Sequence, residues 1–240
     1  MKVLAINSSP KMDKGNTALI LNPFLEGMRE AGAEVELFYT KKLKINPCQG
    51  EYICMFKTPG KCFQNDDMEM LLPKLGDADV WVLATPVYVD GVTASMKTVM
   101  ERMNPLMLPF TELHDGHSFH PRREGTKRSK VVLVSTCGFW EMDNFDLLLA
   151  HLRAYCRNAD REFAGALLRP HGGGLKEMRE MGMLFDDVFE AAKEAGRQLV
   201  RDGEMAPETL ATVSRELIPL EASIEMGNEY IKQALDALEK

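Results

Sequence analysis

The chain of 240 residues has no run approaching the ~20 apolar residues that a membrane helix needs, so no membrane span is expected. Basic residues are the minority. Lys and Arg number 29 against 36 Asp and Glu, a formal charge of −7, and they form no dominant patch. Binding nucleic acid by displacing counterions needs the opposite balance, so no nucleic-acid partner is expected. Cysteine is sparse, with five residues in the whole chain, which argues against a disulfide scaffold. The patterns G-x-x-x-x-G-K-[ST], G-x-G-x-x-G and G-x-S-x-G are all missing. That removes a Walker phosphate loop, a Rossmann dinucleotide fingerprint and a serine-hydrolase elbow. The opening MKVLAINSS has too short an apolar run for a signal peptide and leads into a polar loop. A cytoplasmic location is the expectation.

What is present is a core and an alternating pattern. Apolar and aromatic residues make up 45% of the chain, enough for one α/β domain with a buried interior. Residues 2–6, 34–39, 80–84, 131–135 and 162–168 read as strands. Residues 17–31, 67–75, 94–103, 144–156 and 186–201 carry helical spacing, with Gly32 and Gly76 as stops for the first two. Strand and helix alternate, which predicts a five-stranded parallel sheet with helices on both faces. Residues 80–84 and 131–135 are apolar throughout, as central strands should be. The domain is expected to span 1–205, with a poorly periodic insertion at about 106–130. A C-terminal helical extension is expected over 206–240.

Ligands of such sheets bind beyond the carboxyl ends of the strands. Three loops lie there: 7–16, 85–91 and 136–142. In the first, Ser9, Pro10, Lys11, Gly15, Asn16, Thr17 and Ala18 bring hydroxyls, backbone N–H groups and a helix start together. That combination suits a phosphate. The plain alternative is that Asn16 or Thr17 simply caps the helix. In the second loop Pro86 restrains the chain, Tyr88 offers an aromatic face and Gly91 allows close backbone approach. A ligand-free turn that exposes Tyr88 is the alternative there.

The string N-S-S-P-K-x-x-x-G-N-T, then Thr85-Pro86-Val87-Tyr88 with Ala94-Ser95-Met96-Lys97, then Thr136-Cys137-Gly138-Phe139, resembles one family. These are the loops of the NADPH-dependent FMN reductases and the related iron-sulfur flavoproteins. The resemblance spans roughly residues 2–200. It implies a flavodoxin-like three-layer sandwich that binds FMN, with NAD(P)H as co-substrate. It implies phosphate contacts over Ser9–Ala18. The flavin ring would lie against Pro86, Val87, Tyr88, Val89, Asp90 and Gly91, beside Thr136, Cys137, Gly138 and Phe139. The implied function is an NAD(P)H-dependent reductase of a flavin, a quinone or a similar acceptor. A non-enzymatic electron carrier is the alternative. No side chain is needed as acid or base, so none is assigned a catalytic role. The partner is a small-molecule or protein electron acceptor, and the family resemblance implies a homodimer or homotetramer.

Cys48, Cys54 and Cys62 resemble the cysteine motif of the iron-sulfur flavoproteins, with Glu51 where the second cysteine should stand. A four-iron cluster takes four thiolates, and a carboxylate is a poor soft-metal ligand. The expectation is a loop that kept its shape and lost its cluster. His114, His117 and His120 recur every three residues, but Gly116 breaks any helical face, so solvated loop histidines outweigh a metal site. His171-Gly172-Gly173-Gly174 reads as a flexible turn after the fifth strand.

Overall fold

The computed structural model describes residues 1–238. The elements run β1 (Lys2–Asn7), α1 (Asn16–Glu30), β2 (Glu34–Tyr39), α2 (Ile53–Phe56), α3 (Met68–Asp77), β3 (Val80–Pro86) and α4 (Ala94–Glu101). There follow β4 (Glu112–His114), β5 (His117–Phe119), β6 (Lys130–Thr136), α5 (Asp146–Asn158) and β7 (Glu162–Arg169). The chain closes with α6 (Leu175–Glu180), α7 (Asp186–Arg201), α8 (Pro207–Ser214) and α9 (Leu220–Leu238).

Five parallel strands form the main sheet in the order β2-β1-β3-β6-β7. Without the short β4–β5 hairpin this is the 2-1-3-4-5 order of flavodoxin-like folds, which reverses between β1 and β3. The central strands are apolar because helices cover both their faces. Val80 to Thr85 and Val131 to Thr136 are all buried. On one face α1 packs against α7. Their glycines permit the approach, since a Cβ on Gly27 would fall 1.8 Å from the Lys193 carbonyl oxygen. On the other face α3, α4 and α5 bury Leu71, Leu75, Met100, Leu148 and Leu152 around Trp81.

Several ends shift by one or two residues from the sequence reading, and two differences have a clear physical reason. Helix α3 continues through Gly76 to Asp77, because that glycine is buried under Leu106 rather than placed at a helix end. The insertion is not wholly irregular. Asp115 and Gly116 both take positive φ and turn β4 into β5, so the three histidines sit in and after a hairpin. That hairpin is tied to the end of α5, with the His120 amide donating to the Asn158 carbonyl at 3.0 Å. The insertion joins the end of α4 to the start of β6. It therefore lies at the amino edge of the sheet, away from the three candidate loops.

The segment after residue 205 holds two helices of different character. Helix α8 contacts α7 and β7 and buries Val213 completely. Helix α9 has no buried residue and exposes Ile224, Ile231 and Leu235.

Candidate functional site

The three candidate loops meet at the carboxyl edge of β1, β3 and β6. Side-chain hydroxyls join the first and third, because Thr17 Oγ1 lies 2.9 Å from Thr136 Oγ1, both buried. The second and third are joined by the Val87 amide, which donates to the Thr136 carbonyl at 2.8 Å. Below them the Ser8 amide donates to the Ala84 carbonyl at 2.8 Å, closing the first loop on β3. Residues separated by more than a hundred positions thus form one rim.

The first loop is tightly wound. The Ser9 amide donates to Asn7 Oδ1 at 2.8 Å, and the Met12 amide donates to the Ser9 carbonyl at 2.9 Å. Gly15 is required by that winding, since a Cβ there would stand 2.5 Å from Ser9 Oγ. Gly15 is the residue before α1, and no side chain caps the helix. The orphan amides of its first turn therefore face the loop. The simple capping role considered for Asn16 and Thr17 is not what they do. Asn16 Nδ2 donates to the Gly173 carbonyl at 3.3 Å, and Thr17 pairs with Thr136. Lys11 and Lys14 are exposed, and Lys41 clamps the loop by donating to the Pro10 carbonyl at 3.0 Å. Beneath the loop Asn7 is fully buried and its Nδ2 has no partner.

The second loop is a tight reverse turn. Tyr88 and Gly91 exchange amide and carbonyl bonds at 3.0 and 3.1 Å. Val89 and Asp90 between them both have positive φ, at 49° and 60°. A β-branched residue there is strained, and Val89 is 100% exposed at the tip. Tyr88 is exposed and Pro86 and Val87 half-buried, so this loop presents its faces outward. Thr93 anchors it from below. Its amide donates to Thr85 Oγ1 at 3.1 Å, and its own Oγ1 caps α4 by accepting from the Met96 amide.

In the third loop Cys137 is buried, Gly138 and Phe139 exposed. Burial pushes the Cys137 thiol above its ordinary value, so it stays protonated. The His171 amide donates to the Phe139 carbonyl at 2.6 Å and the Gly172 amide to the Cys137 carbonyl at 2.9 Å. The glycine segment after β7 is thus not a free turn. It is locked to this loop, and a Cβ on Gly172 would meet Thr136 Cβ at 3.2 Å.

Sequence reasoning missed Arg169 and His171. Arg169 is fully buried at the end of β7, and no carboxylate pairs with it among the described residues. Its N–H groups go to the carbonyls of Pro170, Val213 and Arg215 at 2.7 to 2.9 Å, where α8 ends. Its Nη2 also lies 3.3 Å from His171 Nε2. His171 is 4% exposed, stands in left-handed backbone at φ 36°, and stacks on Trp140 with ring centres 6.3 Å apart. Burial, with the Arg169 charge beside it, pushes the His171 imidazole down to about 4. Gly138, Gly173 and His171 form one wall of a cleft of about 860 Å³, closed on its far side by Met226 and Tyr230 of α9.

The cysteine loop lies apart from this rim. Cys48 and Cys54 line a separate cleft of about 430 Å³ with Lys97 and Met100 of α4 and His151 and Tyr155 of α5. Arg102 organises the loop. It is 2% exposed, pairs with the buried Asp66 carboxylate at 2.7 Å, and donates to the Asn46 carbonyl at 2.6 Å. Its second amino group reaches Cys62 Sγ at 3.4 Å.

Strand order and rim define a flavodoxin-like protein. A sequence profile of the NADPH-dependent FMN reductase family matches residues 1–144, more than half of the chain, and the chain belongs to that family. It is 39% identical over 110 residues to an iron-sulfur flavoprotein of Methanocaldococcus jannaschii, covering 46% of this chain and 55% of the relative. A second iron-sulfur flavoprotein, from Archaeoglobus fulgidus, is 40% identical over 105 residues, or 44% of this chain and 46% of the relative. The chain spans about half the length of the curated relatives it matches. Among solved structures, an FMN-dependent NADH-azoreductase from Bacillus anthracis in complex with FMN superposes with a TM-score of 0.59. It is 16% identical and covers 84% of this chain and all of its own. An NAD(P)H:quinone oxidoreductase from Methanothermobacter marburgensis superposes with a TM-score of 0.58 at 18% identity, covering 83% of this chain and 96% of its own. Both are likenesses of fold.

The residues present fit FMN. An uncapped helix start, the Thr17 hydroxyl and the orphaned Asn7 amide lie together where a phosphate would be held. They do not fit a four-iron cluster. The donor set is three thiols and an exposed glutamate, and one thiol is engaged by a guanidinium.

Proposed function

We propose that the protein is an FMN-dependent oxidoreductase that takes electrons from NAD(P)H and delivers them to a flavin, a quinone or a similar acceptor. FMN, when bound, supplies the hydride and electron chemistry. The chain's own residues bind and orient it. In this reading the phosphate is held by Ser9, Lys11, Asn16, Thr17 and Ala18 at the start of α1. Backbone at Pro86–Gly91 and Thr136–Phe139 supports the ring. The observation that carries the reading is the Thr17–Thr136–Val87 junction, which draws the three loops into one rim above β1, β3 and β6.

The test is direct. The purified protein is titrated with FMN, then reduced anaerobically with NADH and with NADPH while the flavin band is followed. Stoichiometric uptake and rapid bleaching by one nicotinamide are the expected result. Uptake without bleaching, except by a reduced protein donor, would replace the enzyme with an electron carrier. A protein that takes up no FMN would end both readings. The same reading includes a cytoplasmic location and self-association into a dimer or tetramer. The exposed Ile224, Ile231 and Leu235 of α9 support the latter, and sedimentation velocity measures it.

A further inference from the structure

Helix α9 is rooted at its start. Leu217, Ile218 and Met226 pack on the core, and Trp140 Nε1 donates to the Ile218 carbonyl at 2.9 Å. Every residue from Gly227 to Leu238 is exposed. A helical stretch of that length is marginal in water without packing against something. Yet its sequence is not that of a solvated arm. Leu220, Ile224, Gly227, Ile231, Leu235 and Leu238 follow one another at three- and four-residue spacings. With 3.6 residues per turn they share one stripe about 80° wide, on the side away from Met226. Ile224, Ile231, Leu235 and Leu238 are each more than half exposed.

The stripe states what would cover it, because it reads alike in both directions. About a point between Gly227 and Asn228, Leu220 exchanges with Leu235 and Ile224 with Ile231. Two copies of α9 laid antiparallel therefore set Leu220 against the partner's Leu235 and Ile224 against the partner's Ile231. A two-fold contact demands that self-complementarity. Gly227 falls at the crossing, where an added Cβ would meet nothing within 4 Å, and lets two backbones approach. The charges agree. Glu221, Glu225 and Glu229 crowd the first half of the helix, and Lys232 stands in the second. Antiparallel pairing brings Lys232 to the flank that carries the partner's Glu221 and Glu225. Parallel pairing would set the two acidic halves against each other.

We propose that α9 is a self-docking surface, on which a second copy of this chain lays its own α9 antiparallel about an axis at Gly227–Asn228. The surface lies outside the residues matched by the family profile. It rests on the self-association proposed above and gives it a place, and it is independent of FMN. Pairing also clamps Tyr230, the far wall of the cleft beside Gly138.

The experiment is sedimentation velocity of the full chain over a range of concentrations, with seam and flank variants. The unchanged chain should form a dimer. Ile231→Glu should weaken it at least roughly tenfold, since a charge is then buried in the seam. Ile231 is exposed in a single copy, so this change spares the monomer's packing, which thermal unfolding at low concentration checks. Lys232→Glu should weaken the dimer a few-fold, and Glu221→Lys in the same chain should recover it. Cross-linking reads the direction of pairing. Asn228→Cys, beside the axis, should link copy to copy on mild oxidation. Leu238→Cys should not, because antiparallel pairing holds the two ends about 30 Å apart. Peptide mass spectrometry identifies the linked cysteine, since Cys48 is also exposed. A dimer indifferent to Ile231→Glu, or one that links through Leu238→Cys as fast as through Asn228→Cys, overturns the proposal and leaves self-association to another face. A chain that stays monomeric at every concentration overturns both. Flavin uptake, followed in the visible spectrum, bears on the FMN reading alone.

Discussion

Thr17 and Thr136, 119 residues apart, share a buried hydrogen bond of 2.9 Å between their hydroxyls. Removing either hydroxyl strands the other without water. Thr17→Val and Thr136→Val should each lower stability by about 1–3 kcal/mol, while the double variant costs less than their sum, because both partners then leave together. Urea denaturation measures this. In the proposed site the Thr17 hydroxyl also serves the phosphate. The double variant should therefore bind FMN at least roughly tenfold more weakly, the scale of a hydrogen bond to a charged group, and riboflavin unchanged.

Arg102 and Asp66 form an ion pair with side chains 1% and 3% exposed. Burial alone would raise the Asp66 carboxyl, but the Arg102 guanidinium and two backbone amides outweigh it and hold the group below its usual range. Asp66→Leu leaves a buried, uncompensated guanidinium and should cost about 3–5 kcal/mol. Asp66→Leu combined with Arg102→Met should recover most of that loss. Failure of the double variant to recover, measured by chemical denaturation, would mean that Arg102 holds the cysteine loop through Asn46 and Cys62 instead.

His171 titrates at about 4 in the fold against about 6.5 in an unfolded chain. Between those values the unfolded state binds a proton that the native state refuses. Stability therefore falls as pH drops from about 6.5 to about 4, by roughly 3 kcal/mol from this group when the whole window is crossed. Above pH 7 the group contributes no pH dependence. His171→Asn, which tolerates the left-handed backbone, should flatten the stability profile in that window. An unchanged profile would show that the imidazole is already protonated in the native protein.

The cysteines should separate by reactivity. Burial pushes the Cys156 thiol up to about 12 and also raises Cys137, whereas Cys48 is exposed. A maleimide at neutral pH should label Cys48 first and reach Cys137 and Cys156 only on unfolding, with mass spectrometry of peptides as the readout.

Backbone strain gives a further expectation. Val89 holds φ at 49° with its side chain wholly in solvent. Val89→Asn should raise stability by about 1 kcal/mol, since asparagine takes that conformation readily and no packing is lost. Thermal unfolding tests it.

The parts of the molecule governed by local pattern were readable from the chain. Asp186–Arg201 and Glu34–Tyr39 carry clean periodicities and fold with those limits. The three loops were readable because glycine, proline and hydroxyl residues cluster where strands give way to helices. What escaped depends on tertiary environment. Arg169 is a charged residue at the end of a strand, and nothing in its neighbours says that α8 will return 44 residues later to collar it with carbonyls. His171 looked like the start of a loose glycine turn, yet Arg169 and Trp140 make it a fixed wall. The three histidines of the insertion drew attention to metal chemistry, while the information lay in the Asp115-Gly116 pair between them.

That hairpin hangs from the amino edge of the sheet, and the candidate site crowns the opposite one. The length of the strands separates them, so sequence can drift, lengthen or acquire a fused reporter at Asp115-Gly116 without disturbing the far end. A fluorescent domain grafted there would be carried as cargo, leaving flavin uptake as it was.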